Sequence, residues 1–145
     1  RWLSSKGLAS YLESDYVEPK KIGRTPTLEI ATEANFQINA LWQKGSFALR
    51  KLYHESKKPL LVIYSSPNCG PCHILKPQLK RVLEELDGKA QGVEIDIESE
   101  QEIAIQAGVN GTPTVHLFYM KELKKEWRGV KQRREFRDAI EKMVR

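Results

Sequence analysis

Both cysteines of the chain fall inside one tetrapeptide, Cys69-Gly70-Pro71-Cys72. Two thiols separated by two residues can close a disulfide, so a substrate disulfide attacked by one sulfur can be resolved by the other. The attacking form is the thiolate, and an ordinary cysteine, with a pKa of about 8.5, is mostly protonated at neutral pH. Context is what would activate it. The tetrapeptide follows the apolar run Leu60-Leu61-Val62-Ile63-Tyr64 and precedes a segment with apolar residues at helical spacing. A sulfur at a helix start faces unpaired N–H groups and the positive end of the helix dipole, and both favour the anion. Cys69, at the exposed end of the loop, is the expected nucleophile; Cys72, one turn inward, is the expected resolving thiol. A zinc site is the competing chemistry, because Cys-X-X-Cys also has ligand spacing. It would need two more ligands, and only His54, His73 and His116 are present, on different predicted elements. A pair of buried, inert thiols is the remaining alternative.

The elements that must hold this loop can be read from hydrophobic period. Residues 60–64 are apolar at every position, the pattern of a strand covered on both faces. After the cysteines, Ile74, Leu75, Leu79, Val82, Leu83 and Leu86 predict a helix stopped by Gly88, with Pro77 inside it. Upstream, Phe47, Leu49, Leu52 and Tyr53 predict a helix closing near Ser56. Downstream comes a strand over 93–97, with Val93, Ile95 and Ile97 inward and Glu94 and Asp96 on the other face. A short helix with Ile103, Ile105 and Ala107 ends at Gly108. Strands over 115–119 and 124–128 follow, the second around Trp127, and a last helix over 132–143 turns Phe136, Ile140 and Met143 inward. Strand and helix alternate and a hairpin closes the sheet, so the expected fold is an α/β sandwich about a mixed sheet.

A chain of 145 residues fits one domain with an appendage. No apolar run approaches the roughly 20 residues of a membrane-spanning helix, so a soluble protein is expected. Two cysteines are too few for a secreted disulfide scaffold. The net charge of +5 is local: residues 121–145 carry ten bases and five acids, and the rest of the chain carries fourteen of each. Acids alternate with bases in that tail, so it reads as a solvated helix face or docking patch rather than a nucleic-acid site. Residues 2–12 have a short helical stripe, Leu3, Leu8, Tyr11 and Leu12, that cannot build a core alone and is expected to pack on a preceding unit. With Arg1 at its start, the chain is expected to be a fragment of a longer polypeptide. The expected organisation is a terminal helix of a preceding domain over 1–12, a linker over 13–35, and the redox domain over 36–145.

The order strand, Cys69-Gly70-Pro71-Cys72, proline-containing helix, strand, helix, Gly111-Thr112-Pro113-Thr114, hairpin, glycine and final helix resembles the thioredoxin family from residue 36 to the end. The resemblance implies a thioredoxin-like three-layer sandwich with a central mixed β-sheet flanked by helices. It also implies a cis Pro113 facing the cysteines, and a substrate groove lined by Asn68, Gly70, Pro71, Thr112, Pro113 and Gly129. Gly129 reads equally as a strand terminator. Two positions depart from the family. Asn68 stands where tryptophan is usual, and Ile63 where a buried aspartate is usual. Isoleucine cannot take the Cys72 proton, so Glu94 on the next strand is the candidate proton acceptor, with a surface carboxylate as the alternative. His73 is expected to face solvent.

The segment Arg1-Trp2-Leu3-Ser4-Ser5-Lys6-Gly7-Leu8 resembles the terminal helix of a flavin-dependent thioredoxin reductase. With Leu52-Tyr53-His54-Glu55-Ser56 and the tryptophan-free Cys-Gly-Pro-Cys, the chain is similar to the C-terminal portion of the NADPH-dependent thioredoxin reductase C family of plastids and cyanobacteria. That resemblance implies electrons arriving from NADPH and FAD bound in a fused reductase portion. They would leave through Cys69 and Cys72 to disulfide substrates, chiefly a 2-Cys peroxiredoxin, in the chloroplast stroma or cyanobacterial cytoplasm. The chain has no G-x-G-x-x-G fingerprint, so neither cofactor is expected to bind here. No metal, nucleic acid or membrane is expected as a partner. The competing function is a non-catalytic docking module whose thiols only gate partner binding.

Overall fold

The computed structural model describes residues 2–13 and 30–144, with side chains from residue 7 onward. In chain order the elements are α1 (Trp2–Glu13), β1 (Trp42–Lys44), α2 (Ser46–Glu55), β2 (Leu60–Ser65), α3 (Gly70–Glu85), β3 (Gln91–Asp96), α4 (Gln101–Ala107), β4 (Thr114–Tyr119), β5 (Glu122–Arg128) and α5 (Arg133–Val144). The strands form one mixed sheet in the order β1-β3-β2-β4-β5. β1 and β2 both run parallel to β3, whereas β4 is antiparallel to β2 and β5 to β4. β2 is therefore the central strand, and all six of its residues are buried, as its unbroken apolar run requires.

Two hydrophobic clusters sandwich the sheet. Leu60, Val62, Tyr64, Val93 and Ile95 point toward α1, α2 and α4. Leu61, Ile63, Val115, Leu117 and Trp127 point toward α3 and α5. The result is the three-layer architecture, with the Cys-bearing helix on the second face.

The structure corrects several expectations. β1 is an added edge strand; three half-buried residues are too short a pattern to show as a period. Ile74 and Ile105, assigned to buried stripes, are 62% and 70% exposed. Glu94 does not face outward: α3 covers its side of the sheet as well, and it is 8% exposed. Residues 14–29 of the expected linker lie outside the described residues. At its other end Ala31 is already buried in the core and its N–H donates to the Lys44 carbonyl at 2.8 Å, so packed structure begins before residue 36.

The expected helix over 2–12 is present, but it packs on this same unit. Leu8 and Leu12 are completely buried with Leu52, Tyr53, Ile103 and Ala107. Gly7 lets α1 approach α4 closely, since a Cβ there would lie 3.0 Å from the Gln106 carbonyl oxygen. The last carbonyls of a helix lack intrahelical partners, and here α2 supplies them. His54 Nε2 bonds the Leu12 carbonyl at 2.8 Å and Arg50 Nη2 donates to the Tyr11 carbonyl at 3.5 Å, while the Tyr53 hydroxyl donates to the Glu13 side-chain carboxylate at 2.9 Å. The Arg50 guanidinium stacks 4.9 Å over the Tyr11 ring.

Candidate redox site

The carboxyl end of β2 delivers the cysteine loop. The Cys69 N–H donates to the Ser66 carbonyl, and Cys69 then serves as the N-cap of α3, with Pro71 in the first turn where a missing N–H costs nothing. Cys69 and Cys72 are joined by a disulfide, with Cα atoms 5.3 Å apart. The Cys72 backbone N–H donates to Cys69 Sγ at 3.1 Å. An orphan helix donor aimed at that sulfur favours negative charge on it once the disulfide is reduced. Cys69 is 7% exposed and Cys72 is fully buried, so only Cys69 offers surface to a substrate.

The Thr112–Pro113 peptide bond is cis. Pro113 leads into β4, whose Thr114 pairs with Tyr64 near the end of β2. On the far side of Pro113, the Gly129 N–H donates to the Pro113 carbonyl at 2.8 Å. Gly129 has φ of +87°, a conformation that disfavours any residue with a Cβ. The glycine thus ends β5 and ties that end to the Pro113 segment. Asn68, Gly70 and Pro71 are exposed, whereas Thr112 and Gly129 are half-buried. His73 is exposed, as expected, with Nε2 3.3 Å from the Pro67 carbonyl.

Ile63 is fully buried and stands opposite Glu94 in the parallel β2–β3 register, so both side chains project toward α3. Glu94 Oε2 pairs with Lys76 Nζ at 2.8 Å, and Oε1 accepts from Trp42 Nε1 at 3.4 Å. Lys76 lies one helical turn after Cys72. Neither partner of Glu94 was read from the sequence: Lys76 lies on α3 and Trp42 in the unrecognised β1. Among the described residues no group of three or more His, Cys, Asp or Glu side chains is placed to hold a metal ion, and His54, His73 and His116 lie on separate elements. Nor is any described helix long and apolar enough to cross a membrane.

A second polar cluster went unnoticed in the sequence. His116, 1% exposed, has Nδ1 3.1 Å from the Tyr64 hydroxyl and Nε2 2.9 Å from Glu126 Oε2. Burial lowers the His116 pKa, against the opposing pull of Glu126. Glu126 is itself held below the usual carboxylate range: its own burial opposes this, but His116 and Arg128 prevail. Burial also raises the Tyr64 pKa far above its ordinary value. Alternation along β4 and β5 puts these groups on one face, but a lone buried histidine gives no sequence signal of its partners.

The thioredoxin family model matches residues 42–142. The chain belongs to the thioredoxin family. It is 43% identical over 141 residues to NADPH-dependent thioredoxin reductase 3 of Arabidopsis thaliana, a match covering 97% of the chain and 26% of that protein. The chain therefore spans about a quarter of that relative's length. Thioredoxin M-type from spinach chloroplasts is 31% identical over 115 residues, covering 79% of the chain and 64% of that protein. Among solved structures, a single-substitution mutant of thioredoxin from Halobacterium salinarum superposes with a TM-score of 0.63 at 28% identity, covering 72% of this chain and 90% of its own. Chloroplastic thioredoxin z gives a TM-score of 0.64 at 21% identity over 76% and 98% of the two chains, a likeness of fold.

Proposed function

We propose that this thioredoxin-type redox domain is the terminal electron carrier of an NADPH-dependent thioredoxin reductase fusion. The observation that supports it is the extent of the similarity to thioredoxin reductase 3. That match spans 141 residues and so takes in α1 and the 14–29 segment, beyond the 42–142 core shared with thioredoxins at large. In this reading FAD and NADPH belong to the reductase portion, and residues 1–12 are the last helix of that portion in sequence, packed here on α2 and α4 of the redox domain. The acceptor is a 2-Cys peroxiredoxin or another disulfide protein, and the compartment is the chloroplast stroma or cyanobacterial cytoplasm.

The exchange runs in two steps. The Cys69 thiolate attacks one sulfur of the substrate disulfide, forming a mixed disulfide and expelling the other sulfur as a thiolate that takes a proton. Cys72, deprotonated, then attacks Cys69 Sγ; the Cys69–Cys72 disulfide forms and the second substrate sulfur leaves. Two electrons and two protons reach the substrate. Asn68, Gly70, Pro71, Thr112, Pro113 and Gly129 hold the substrate backbone as an extended segment, a mode that gives broad selectivity. Glu94, facing α3 beside Lys76, takes the Cys72 proton through water, the role that Ile63 cannot fill.

Two measurements test this. With dithiothreitol as donor the chain should reduce insulin disulfides, and Cys69→Ser should abolish the activity; a wild-type rate equal to the blank would leave the docking-module function standing. Cys72→Ser, unable to resolve its mixed disulfide, should trap a 2-Cys peroxiredoxin as the dominant adduct in a lysate of the source cells. Trapping of unrelated proteins only would refute the peroxiredoxin assignment.

A further inference from the structure

Tyr64, His116 and Glu126 form a chain of side-chain hydrogen bonds across β2, β4 and β5, on the sheet face away from α3. One proton arrangement satisfies all three. The Tyr64 hydroxyl donates to His116 Nδ1, and His116 Nε2–H donates to Glu126 Oε2. Glu126 Oε1 then accepts from Arg128 Nε at 3.4 Å. Each of the three strands ends at the substrate groove. β2 runs into the cysteine loop, β4 starts immediately after Pro113, and β5 ends at Arg128, next to Gly129.

The backbone ladder pairs β4 with β5 from Thr114–Arg128 to Tyr119–Glu122, and the Gly129 N–H adds its bond to the Pro113 carbonyl, but the ladder carries one irregularity. His116 pairs with Glu126 and Leu117 with Lys125, but Phe118 pairs with Leu123, so the register shifts by one residue and Lys124 is left without a direct partner on β4. A bulge disrupts the ladder locally and bends and twists the bulged strand. The His116–Glu126 bond lies on the groove side of the bulge, where it ties the two strands side chain to side chain. Buried polar groups of this kind add little net stability compared with apolar residues of the same shape, and they can select one arrangement over its neighbours.

We propose that Tyr64, His116 and Glu126 are positioning residues that hold Arg128 and Gly129 against the cis-Pro113 edge, and so set affinity for protein disulfides without altering the reactivity of the cysteines. The proposal rests on the substrate groove described under the proposed function. Two substrates separate the effects: insulin, which must lie in the groove, and 5,5′-dithiobis(2-nitrobenzoate), a small disulfide that needs only the Cys69 sulfur. His116→Leu and Tyr64→Phe should each raise KM for insulin roughly three- to tenfold, the scale of one buried hydrogen bond. kcat and the rate with the small disulfide should stay within about twofold of wild type on the same scale. His116→Gln, which keeps a donor and an acceptor, should recover most of the insulin KM. If His116→Leu fails to fold, Tyr64→Phe and Glu126→Gln make the same comparison. An unchanged insulin KM, or parallel losses with both substrates, overturns the positioning role. A wild-type protein that reduces neither substrate instead removes the proposed function on which the role stands.

Discussion

Replacing Leu12 with alanine removes a completely buried side chain from the seam between α1 and the α2–α4 face. Buried Leu→Ala changes elsewhere cost about 2–5 kcal/mol, depending on how far the site collapses. Here the cost has a ceiling. A helix of 12 residues is not stable alone in water, so once the cavity penalty exceeds the free energy of docking, α1 detaches and the rest of the domain stays folded. Leu12→Ala should therefore lose about 2 kcal/mol or the whole docking free energy, whichever is smaller. Deleting residues 1–13 measures the second quantity. In urea, with m of about 1–2 kcal/mol/M, a loss of about 2 kcal/mol lowers the midpoint by roughly 1–2 M. The truncated chain should also show a smaller m, since it exposes less surface on unfolding. If Leu12→Ala and the truncation both fall within about 0.5 kcal/mol of the parent chain, a surface-like effect, then α1 is not docked in solution and its burial here has no energetic meaning.

Three further outcomes are expected. Glu94→Gln and Lys76→Met should each change the pH profile of mixed-disulfide resolution, read by stopped flow; superimposable profiles would remove Glu94 from the mechanism. Gly92→Ala should destabilise the fold by about 1–3 kcal/mol through overpacking, because its Cβ would lie 2.6 Å from the Trp42 ring and 2.8 Å from Leu83; thermal melts check this, and an unchanged Tm would mean Trp42 moves freely. His116 has a lower pKa folded than its ordinary 6.5, so below pH 6.5 the unfolded chain binds the extra proton first. Its contribution to stability is complete above that value and is lost as pH falls toward the folded pKa. Urea midpoints from about pH 7.5 to 5 should fall more steeply for the parent than for His116→Gln, and equal slopes would show that His116 does not resist protonation.

The redox loop was legible because three independent signals coincide within thirteen residues, 60–72: an unbroken apolar strand, two cysteines at exchange spacing and a helix start. Apart from β1, the order of the elements followed from the sequence pattern, since strands such as Thr114–Tyr119 are dense apolar runs and helices such as α5 carry an apolar stripe. What the sequence hid are features that arise only when distant segments meet. Glu94 looked solvent-facing because alternation assigns it a face but cannot say that α3 covers that face. Leu8 and Leu12 announced a stripe without its partner, which proved to be α2 and α4 of the same chain. Ile74 satisfies helical spacing yet lies on the open side of α3, where period counting cannot distinguish the flank of a stripe from its centre. Tyr64 and His116 are 52 residues apart in sequence, and His116 and Glu126 are 10 apart, so no local pattern links the three.

β5 forms one margin of the sheet, and its outward backbone groups have no further strand to meet among the described residues. If the proposed groove grips extended chains, this margin must not do the same, because any unfolded neighbour could add to it and seed an aggregate. The composition of β5 works against that. Glu122, Lys124, Lys125 and Arg128 are exposed along it, and the register shift beside Leu117 and Phe118 interrupts the straight row of donors and acceptors. Charge and irregularity leave this rim a poor template, so the loose polypeptide of the proposed function could meet the cysteine end without polymerisation through the side.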